Sequence, residues 1–265
     1  MKTENIYLPF LSEIIEVIPH TDIEYTFRMR YEGDVRAGQF FEVSIPKFGE
    51  APISVSGIGP DSVDLTIRRV GKVTDEIFEH YVGQKLYMRG PYGNGFELSD
   101  YTDSELVIVG GGTGVSPVRG VIDYFANHPE EVRSAQLIAG FKSGSDILFR
   151  DDFKRWKDTM DVTLTVDAGE ETPEHKVGLV TQFIPELEFE DLDRVRAIVV
   201  GPPAMMRFSV KALLDRGIAE ENIWISQERR MCCGIGKCGH CRIGDSYVCL
   251  DGPVYNYAQG RRLAD

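Results

Sequence analysis

Cysteine is absent from the first 231 residues of this 265-residue chain, and all five cysteines fall between Cys232 and Cys249. A disulfide framework would spread its cysteines so as to close loops through the fold. Crowding of this kind in a reduced compartment points to metal instead. Long apolar runs are also missing, since none approaches the roughly 18 residues a membrane helix needs. Basic residues are few, 29 against 42 acidic ones, for a formal net charge of −13. That balance argues against nucleic acid as a partner, because duplex binding wants a basic surface to replace counterions. There is no internal repeat and no low-complexity segment. Glu4, Glu13 and Glu16 stand where a secretory signal would need an apolar run, so the chain is expected in the cytoplasm. Its 42% hydrophobic and 27% charged residues are the balance of a soluble globular protein, long enough for one large domain or two ordinary ones.

Three rhythms divide the chain. Over residues 1–100, strand-like runs alternate with turn signals: 39–45 (QFFEVSI), 64–69 (DLTIRR) and 85–89 (KLYMR), punctuated as at 58–61 (IGPD). Strands at this spacing predict a small antiparallel β-barrel, with one short helix starting near Asp75. Over 104–226, short apolar runs appear at 106–109, 136–139, 162–166, 197–200 and 223–225, separated by amphipathic stretches such as 117–126 and 203–215. Continuous apolar strands joined by helices predict an open α/β domain, with a parallel sheet of five strands covered on both faces. Over 227–265, helix signals are scarce while glycine and cysteine are plentiful, which predicts a small C-terminal lobe folded around a metal centre.

Cys233, Cys238, Cys241 and Cys249 read C-x4-C-x2-C-x7-C. The first three spacings match the plant-type [2Fe–2S] loop, whose fourth ligand comes from further along the chain. Gly234, Gly236 and Gly239 allow the backbone to wrap tightly and aim N–H groups at sulfur. Four cysteines also satisfy tetrahedral zinc, but zinc ribbons pair two C-x2-C knuckles and only Cys238 with Cys241 has that spacing. Cys232 is left as a non-ligand, and His240 as an outward-facing neighbour rather than a Rieske-type ligand.

The stretch 109–117 (VGGGTGVSP) follows an apolar strand and opens a helical run. Glycines at such a turn let a pyrophosphate approach a helix N-terminus. It departs from G-x-G-x-x-G because Val115 stands where the third glycine would be. Two further turns, 139–143 (AGFKS) and 201–205 (GPPAM), sit at ends of strands of the same expected sheet. Ligands bind outside the carboxyl ends of strands in open α/β sheets. Gly111, Gly112, Thr113, Gly114, Gly140, Phe141, Gly201, Pro202 and Pro203 are therefore the candidate nicotinamide-nucleotide residues; the bland alternative is three tight connections.

Barrel, nicotinamide-type α/β domain and [2Fe–2S] tail, in that order, resemble the ferredoxin–NADP reductase superfamily, in its subfamily of small electron-transfer subunits with C-terminal clusters. The resemblance covers nearly the whole chain. It implies that the barrel binds FAD through an R-P-[YFI]-S turn and a later G-x-x-[ST] turn. Here these fall on Pro52, Ile53 and Ser54, on Gly71, Lys72, Val73 and Thr74, and on Thr66, Ile67 and Arg68 of the strand between. The arginine that opens the first turn is replaced by Ala51, leaving Arg68, Arg69 or Lys72 to supply charge and Thr74 a hydroxyl. A cysteine common before the third nicotinamide turn is Val200 here. The resemblance further implies electron flow from NADH (NADPH remaining possible, with Lys142 placed to meet a 2′-phosphate) through FAD and the cluster to partner subunits, with no catalytic side chain. Three stretches, 7–10, 49–54 and 231–241, look closest to the branch serving anaerobic sulfite reductase, which implies iron–sulfur and sirohaem partner subunits. The alternatives are a dihydroorotate dehydrogenase, sulfhydrogenase or ferredoxin–NADP transhydrogenase complex, or a redox-sensing protein.

Overall fold

Pairs of large apolar residues two positions apart, Phe27 with Met29, Phe41 with Val43, Leu65 with Ile67 and Leu86 with Met88, are buried together in one core. Successive strand residues point to opposite faces, so each pair fixes one strand's inward side. In the computed structural model, which describes residues 5–263, these pairs lie on β2 (Glu24–Arg30), β3 (Phe40–Ile45), β5 (Ser62–Arg68) and β6 (Lys85–Tyr92). With β1 (Phe10–Pro19) and β4 (Gly49–Ile58) they close an antiparallel barrel in the order β1-β2-β5-β4-β3-β6. Glu4 and the outermost positions of the first and last expected domains lie outside the described residues. A short helix, α1 (Lys72–Glu76), widens into a single π-turn at Ile77–Tyr81. Ile77 is fully buried in the core, and Phe78 packs beside it with its ring 4.5 Å from that of Tyr25. Burying each such side chain contributes about 1.5–3 kcal/mol.

The barrel corrects one expectation. Residues 51–54 are not a turn but the middle of β4, with Ala51 opposite Val43 and Ser54 opposite Phe40. Val55 N–H donates to Gln39 O at 2.8 Å, so the bonded pairs fall on odd positions and the nitrogen of Pro52 points away from β3. Pairing of β4 with β5 begins only at Val55, so the missing N–H of proline costs no ladder bond there.

From β7 (Glu105–Gly111) the chain builds a second sheet with α2 (Val115–Asn127), β8 (Ser134–Phe141), α3 (Arg150–Trp156), β9 (Asp161–Val166), β10 (Lys176–Val177), α4 (Val180–Phe183), β11 (Val195–Val200), α5 (Pro203–Asp215) and β12 (Ile223–Ser226). β7 is buried at every position, as a strand covered on both faces must be. Helix α2 buries Val118, Val121, Ile122 and Phe125, a stripe at helical spacing. The cysteine segment then adds β13 (Arg242–Ile243), β14 (Ser246–Tyr247) and α6 (Val248–Asp251). Last, β15 (Val254–Asn256) pairs antiparallel with β12 and leads into α7 (Tyr257–Gly260). The sheet order is β10-β9-β8-β7-β11-β12-β15.

By compactness the chain forms two units. The described residues up to Phe96 join Glu228–Pro253 in one, and Glu97–Gln227 join the residues from Val254 onward in the other. The cysteine segment is thus part of the barrel unit, while the strand after it returns to the parallel sheet. Among the described residues, no helix is long and apolar enough to cross a membrane.

Candidate cofactor and metal sites

In the sheet unit the three glycine-containing turns come together. β8, β7 and β11 are neighbours, with Gly111 opposite Gly140 and Gly110 opposite Val200. The five strands from β9 to β12 run 3-2-1-4-5 in sheet order, so the chain reverses its winding between β7 and β11. That reversal is the switch point at which open sheets leave a crevice. The turns after β7 and β11 touch there: a Cβ on Gly114 would stand 2.6 Å from Gly201 Cα and 2.7 Å from Val200 O. Gly112 is different, with φ +55° and nothing within 4 Å of its missing Cβ. A tight, glycine-only contact thus lies beside open backbone, the cradle a pyrophosphate needs. Pro203 occupies the first position of α5, where a missing N–H is harmless. Phe141 is buried, while Lys142, Pro202 and Pro203 are exposed and Thr113 and Gly201 half-exposed.

In the barrel unit the candidate flavin residues flank one pairing, Val55 opposite Leu65, with Pro52, Ile53 and Ser54 just before it and Thr66, Ile67 and Arg68 just after. Their side chains differ in what they offer. Ile67 is fully buried in the core, leaving only its backbone available. The Thr66 hydroxyl is engaged with Ser56 and Thr26, each at 2.7 Å. Thr74, expected to offer its hydroxyl to a phosphate, is buried and accepts from the N–H groups of Val70 (2.9 Å) and Gly71 (3.0 Å) while donating to Gly71 O. It closes the turn into α1 instead. Arg69 is tied to Asp75 at 2.9 Å and to Glu79. Arg68 faces Glu24 at 3.2 Å but stays 42% exposed; with exposed Lys72 it is the cation this face presents. Ser54, Ile53 and Val73 are half-buried.

The cysteine segment folds as a glycine-hinged loop, with Gly234, Gly236 and Gly239 at φ +72°, +69° and +81°, conformations that favour glycine. The loop turns its N–H groups inward. Cys233 Sγ accepts from Lys237 N (3.3 Å), Ile235 N (3.5 Å) and Cys238 N (3.5 Å), and Cys249 Sγ from Gly236 N (3.1 Å). The sulfurs fall into two pairs: Cys238 bonds the Cys233 side chain, and Cys241 Sγ lies 3.3 Å from Cys249 Sγ. Two pairs surrounded by N–H donors suit a two-iron, negatively charged group. Burial pushes the Cys249 thiol up to about 12, whereas the backbone N–H of His240 lowers Cys238; metal binding has a proton to displace at the first. Cys232 contributes its carbonyl, not its sulfur, to a hydrogen bond from Arg89.

Arg89, Glu50, Tyr92 and Glu42 are not among the sequence candidates, yet Arg89 bonds the loop's carbonyls, Tyr92 packs against Gly234, Glu50 holds Arg89, and Glu42 lies beside Arg89. Glu42 is opposite Arg89 in the barrel register. It is completely buried with neither carboxylate oxygen hydrogen-bonded, and burial raises its pKa to about 7 despite the nearby Arg89.

Barrel, switch-point cradle and paired cysteines define an oxidoreductase of ferredoxin–NADP reductase architecture with a C-terminal iron–sulfur segment. Residues 108–211 match the oxidoreductase NAD-binding domain, and residues 228–259 the iron–sulfur cluster binding domain of dihydroorotate dehydrogenase B. The sulfhydrogenase 2 gamma subunit of Pyrococcus furiosus is 36% identical over 96% of both chains. The electron transfer subunit of dihydroorotate dehydrogenase B (NAD(+)) from Clostridium perfringens is 28% identical over 93% of this chain and 96% of that one. The solved NADH-dependent reduced ferredoxin–NADP oxidoreductase shares the fold, with a TM-score of 0.75 at 23% identity over 96% of this chain and 93% of that one. The chain belongs to the family that contains the sulfhydrogenase gamma subunits and the dihydroorotate dehydrogenase B electron-transfer subunits.

Proposed function

We propose that this chain is the FAD- and [2Fe–2S]-carrying electron-transfer subunit of a multi-subunit oxidoreductase, drawing electrons from NADH or NADPH and delivering them to a partner subunit. The observation that carries the reading is the loop holding four cysteine sulfurs in two pairs under inward N–H groups, in one chain with an NAD-binding sheet. When bound, FAD supplies the conversion of a two-electron donation into single electrons, and the cluster a one-electron relay. The protein's part is placement. The 111–114 and 201–203 turns hold the nucleotide phosphates at the switch point, with 140–141 beside them. Residues 52–54, 66–68 and 71–74 hold the flavin, through Arg68 or Lys72 where charge is needed. Cys233, Cys238, Cys241 and Cys249 hold the irons. No side chain of this chain activates a substrate.

The relatives bear on the partner. Their names attach them to hydrogenase and dihydroorotate complexes, which favours a partner of those kinds over the sirohaem subunits implied by motif resemblance. A sulfhydrogenase-type complex is the better supported of the two, at 36% identity over 96% of the chain against 28–33% for the dihydroorotate relatives. Metal and flavin analysis of anaerobically purified protein tests the core of the reading. It should give about two irons, two sulfides and one FAD per chain, with the iron lost in Cys249→Ser and kept in Cys232→Ser. Zinc without flavin overturns it. Purification of the complex from its native host tests the partner, and a sirohaem-containing subunit in that complex would restore the sulfite-reducing assignment.

A further inference from the structure

Strand β6 carries a guanidinium whose every donor is accounted for. Arginine carries five N–H groups in a rigid fork, and Arg89, only 4% exposed, makes five hydrogen bonds. Nε and Nη2 grip the two oxygens of Glu50 at 2.8 Å each. Nη2 also donates to Cys232 O at 2.5 Å, and Nη1 to Cys233 O at 2.6 Å and to the Tyr92 hydroxyl at 3.2 Å. The two cysteines stand 143 and 144 positions away in sequence.

These bonds act at the loop's entry. A peptide is planar, so holding the oxygens of residues 232 and 233 fixes the planes on both sides of Cys233. The next residue, Gly234, is pressed against Tyr92: a Cβ there would stand 2.6 Å from the ring. Tyr92 is itself held, since its hydroxyl donates to Ile6 O at 2.6 Å and its ring lies 5.5 Å from the Arg89 guanidinium. Beyond Gly234 come the N–H groups of Ile235, Lys237 and Cys238 that point at Cys233 Sγ. Their aim depends on where the entry peptides are set.

We infer that Arg89 is a positioning residue for the iron–sulfur cluster, its Glu50-anchored fork clamping the carbonyls of Cys232 and Cys233 and so fixing Cys233 as a ligand and the donors around its sulfur. The inference rests on the proposed [2Fe–2S] reading of the four cysteines. A lysine would keep the charge but not the fork, which addresses a carboxylate and two carbonyls at once. Charge and geometry are therefore separable by mutation. Groups outside the ligand shell that orient it are worth about 10–100-fold in metal retention.

The test compares wild-type protein with Arg89→Lys and Glu50→Gln, each purified anaerobically. Readouts are the rate of iron loss to a chelator, the electron paramagnetic resonance spectrum of the reduced cluster, and its midpoint potential. Flavin content and circular dichroism report whether the barrel has folded. Both variants should keep flavin and fold, lose iron about 10–100-fold faster, and show an altered resonance spectrum and a shifted potential. If Arg89→Lys does not fold, Glu50→Gln decides, because it leaves the guanidinium in place and removes only its anchor. Wild-type iron retention, spectrum and potential in the folded variants would overturn the clamp while leaving the cluster assignment intact. Wild-type protein without iron would overturn the assignment itself, and the clamp with it.

Discussion

Glu42 is the residue whose environment most departs from what its type prefers. It sits on the outward side of β3, between the core residues Phe41 and Val43, and is nonetheless completely buried with no hydrogen bond. Charged or ionisable groups face it from several sides: Arg89 and Tyr92 on β6, Glu50 on β4, and Cys232 and Cys233 in the cysteine loop. Burial outweighs the attraction of Arg89 and raises the carboxyl from 4.5 to about 7. The folded protein therefore keeps this proton to higher pH than the unfolded chain does. Stability falls as pH rises from about 4.5 to about 7 and levels off above, by as much as about 3 kcal/mol. Glu42→Gln removes that dependence. Thermal unfolding should show the variant no more stable than wild type at pH 5 and more stable at pH 8, by about 1–3 kcal/mol; equal differences at both pH values would contradict the assignment. None of this was legible in the sequence. Strand alternation marks residue 42 as solvated, whereas in the fold it is fully buried, with Cys233, about 190 positions on, among the groups that act on it. The cysteines, by contrast, are local in sequence, so their spacing alone named the candidate ligands. Thr74 shows another limit: its type suits a phosphate contact, and only the folded turn reveals that its hydroxyl also bonds the backbone of residues 70 and 71.

Elements were legible to the degree that their periodicity is undisturbed. Strands β7 and β11 are largely continuous apolar runs buried on both faces, and α5 occupies the expected span 203–215, because such burial leaves little ambiguity. Barrel strands carry outward charges, and β4 contains both a proline and a bulge between Val55 and Gly57, so the 51–54 stretch reads as a turn when taken alone. Strand β15 is three residues long and is a strand only because β12 offers an edge. The contact between the turns after β7 and β11 belongs to neither element by itself. It makes Gly114 a sharper test of the nucleotide site than any of the open glycines. Gly114→Ala drives a Cβ into the Gly201 backbone, which cannot swing aside as a flexible side chain would. The expected cost is about 1–3 kcal/mol of stability, together with weakened nicotinamide binding in a fluorescence titration. Gly112→Ala meets no neighbour but requires φ +55°, so it should strain the turn without displacing residue 201. If Gly114→Ala binds the nicotinamide as wild type does, the switch-point assignment loses its support.

The chain crosses between its two compact units three times, leaving the barrel after Phe96, returning at Glu228 and leaving again after Pro253. The cysteine loop is thus bound to the barrel by its own contacts, the Arg89 clamp and the Asn94 N–H to Gly252 O bond of 2.7 Å among them. A metal that binds only the folded loop contributes its binding free energy to that fold. Because the loop belongs to the barrel unit, the contribution should be confined there. Hydrogen exchange compared between iron-loaded and chelator-stripped protein should speed up across residues 228–253. The increase should be largest at the amides of Ile235, Gly236, Lys237 and Cys238, which point at sulfur, and smaller in β6, where Arg89 and Tyr92 hold the loop. Strands β7, β8 and β11 should exchange at unchanged rates, since their protection comes from a sheet whose turns carry no cysteine. Equal acceleration in both units would mean that the metal stabilises the chain as one cooperative body. No change at 235–238 would mean that those N–H groups are held by the loop's own geometry, with sulfur a bystander to its fold.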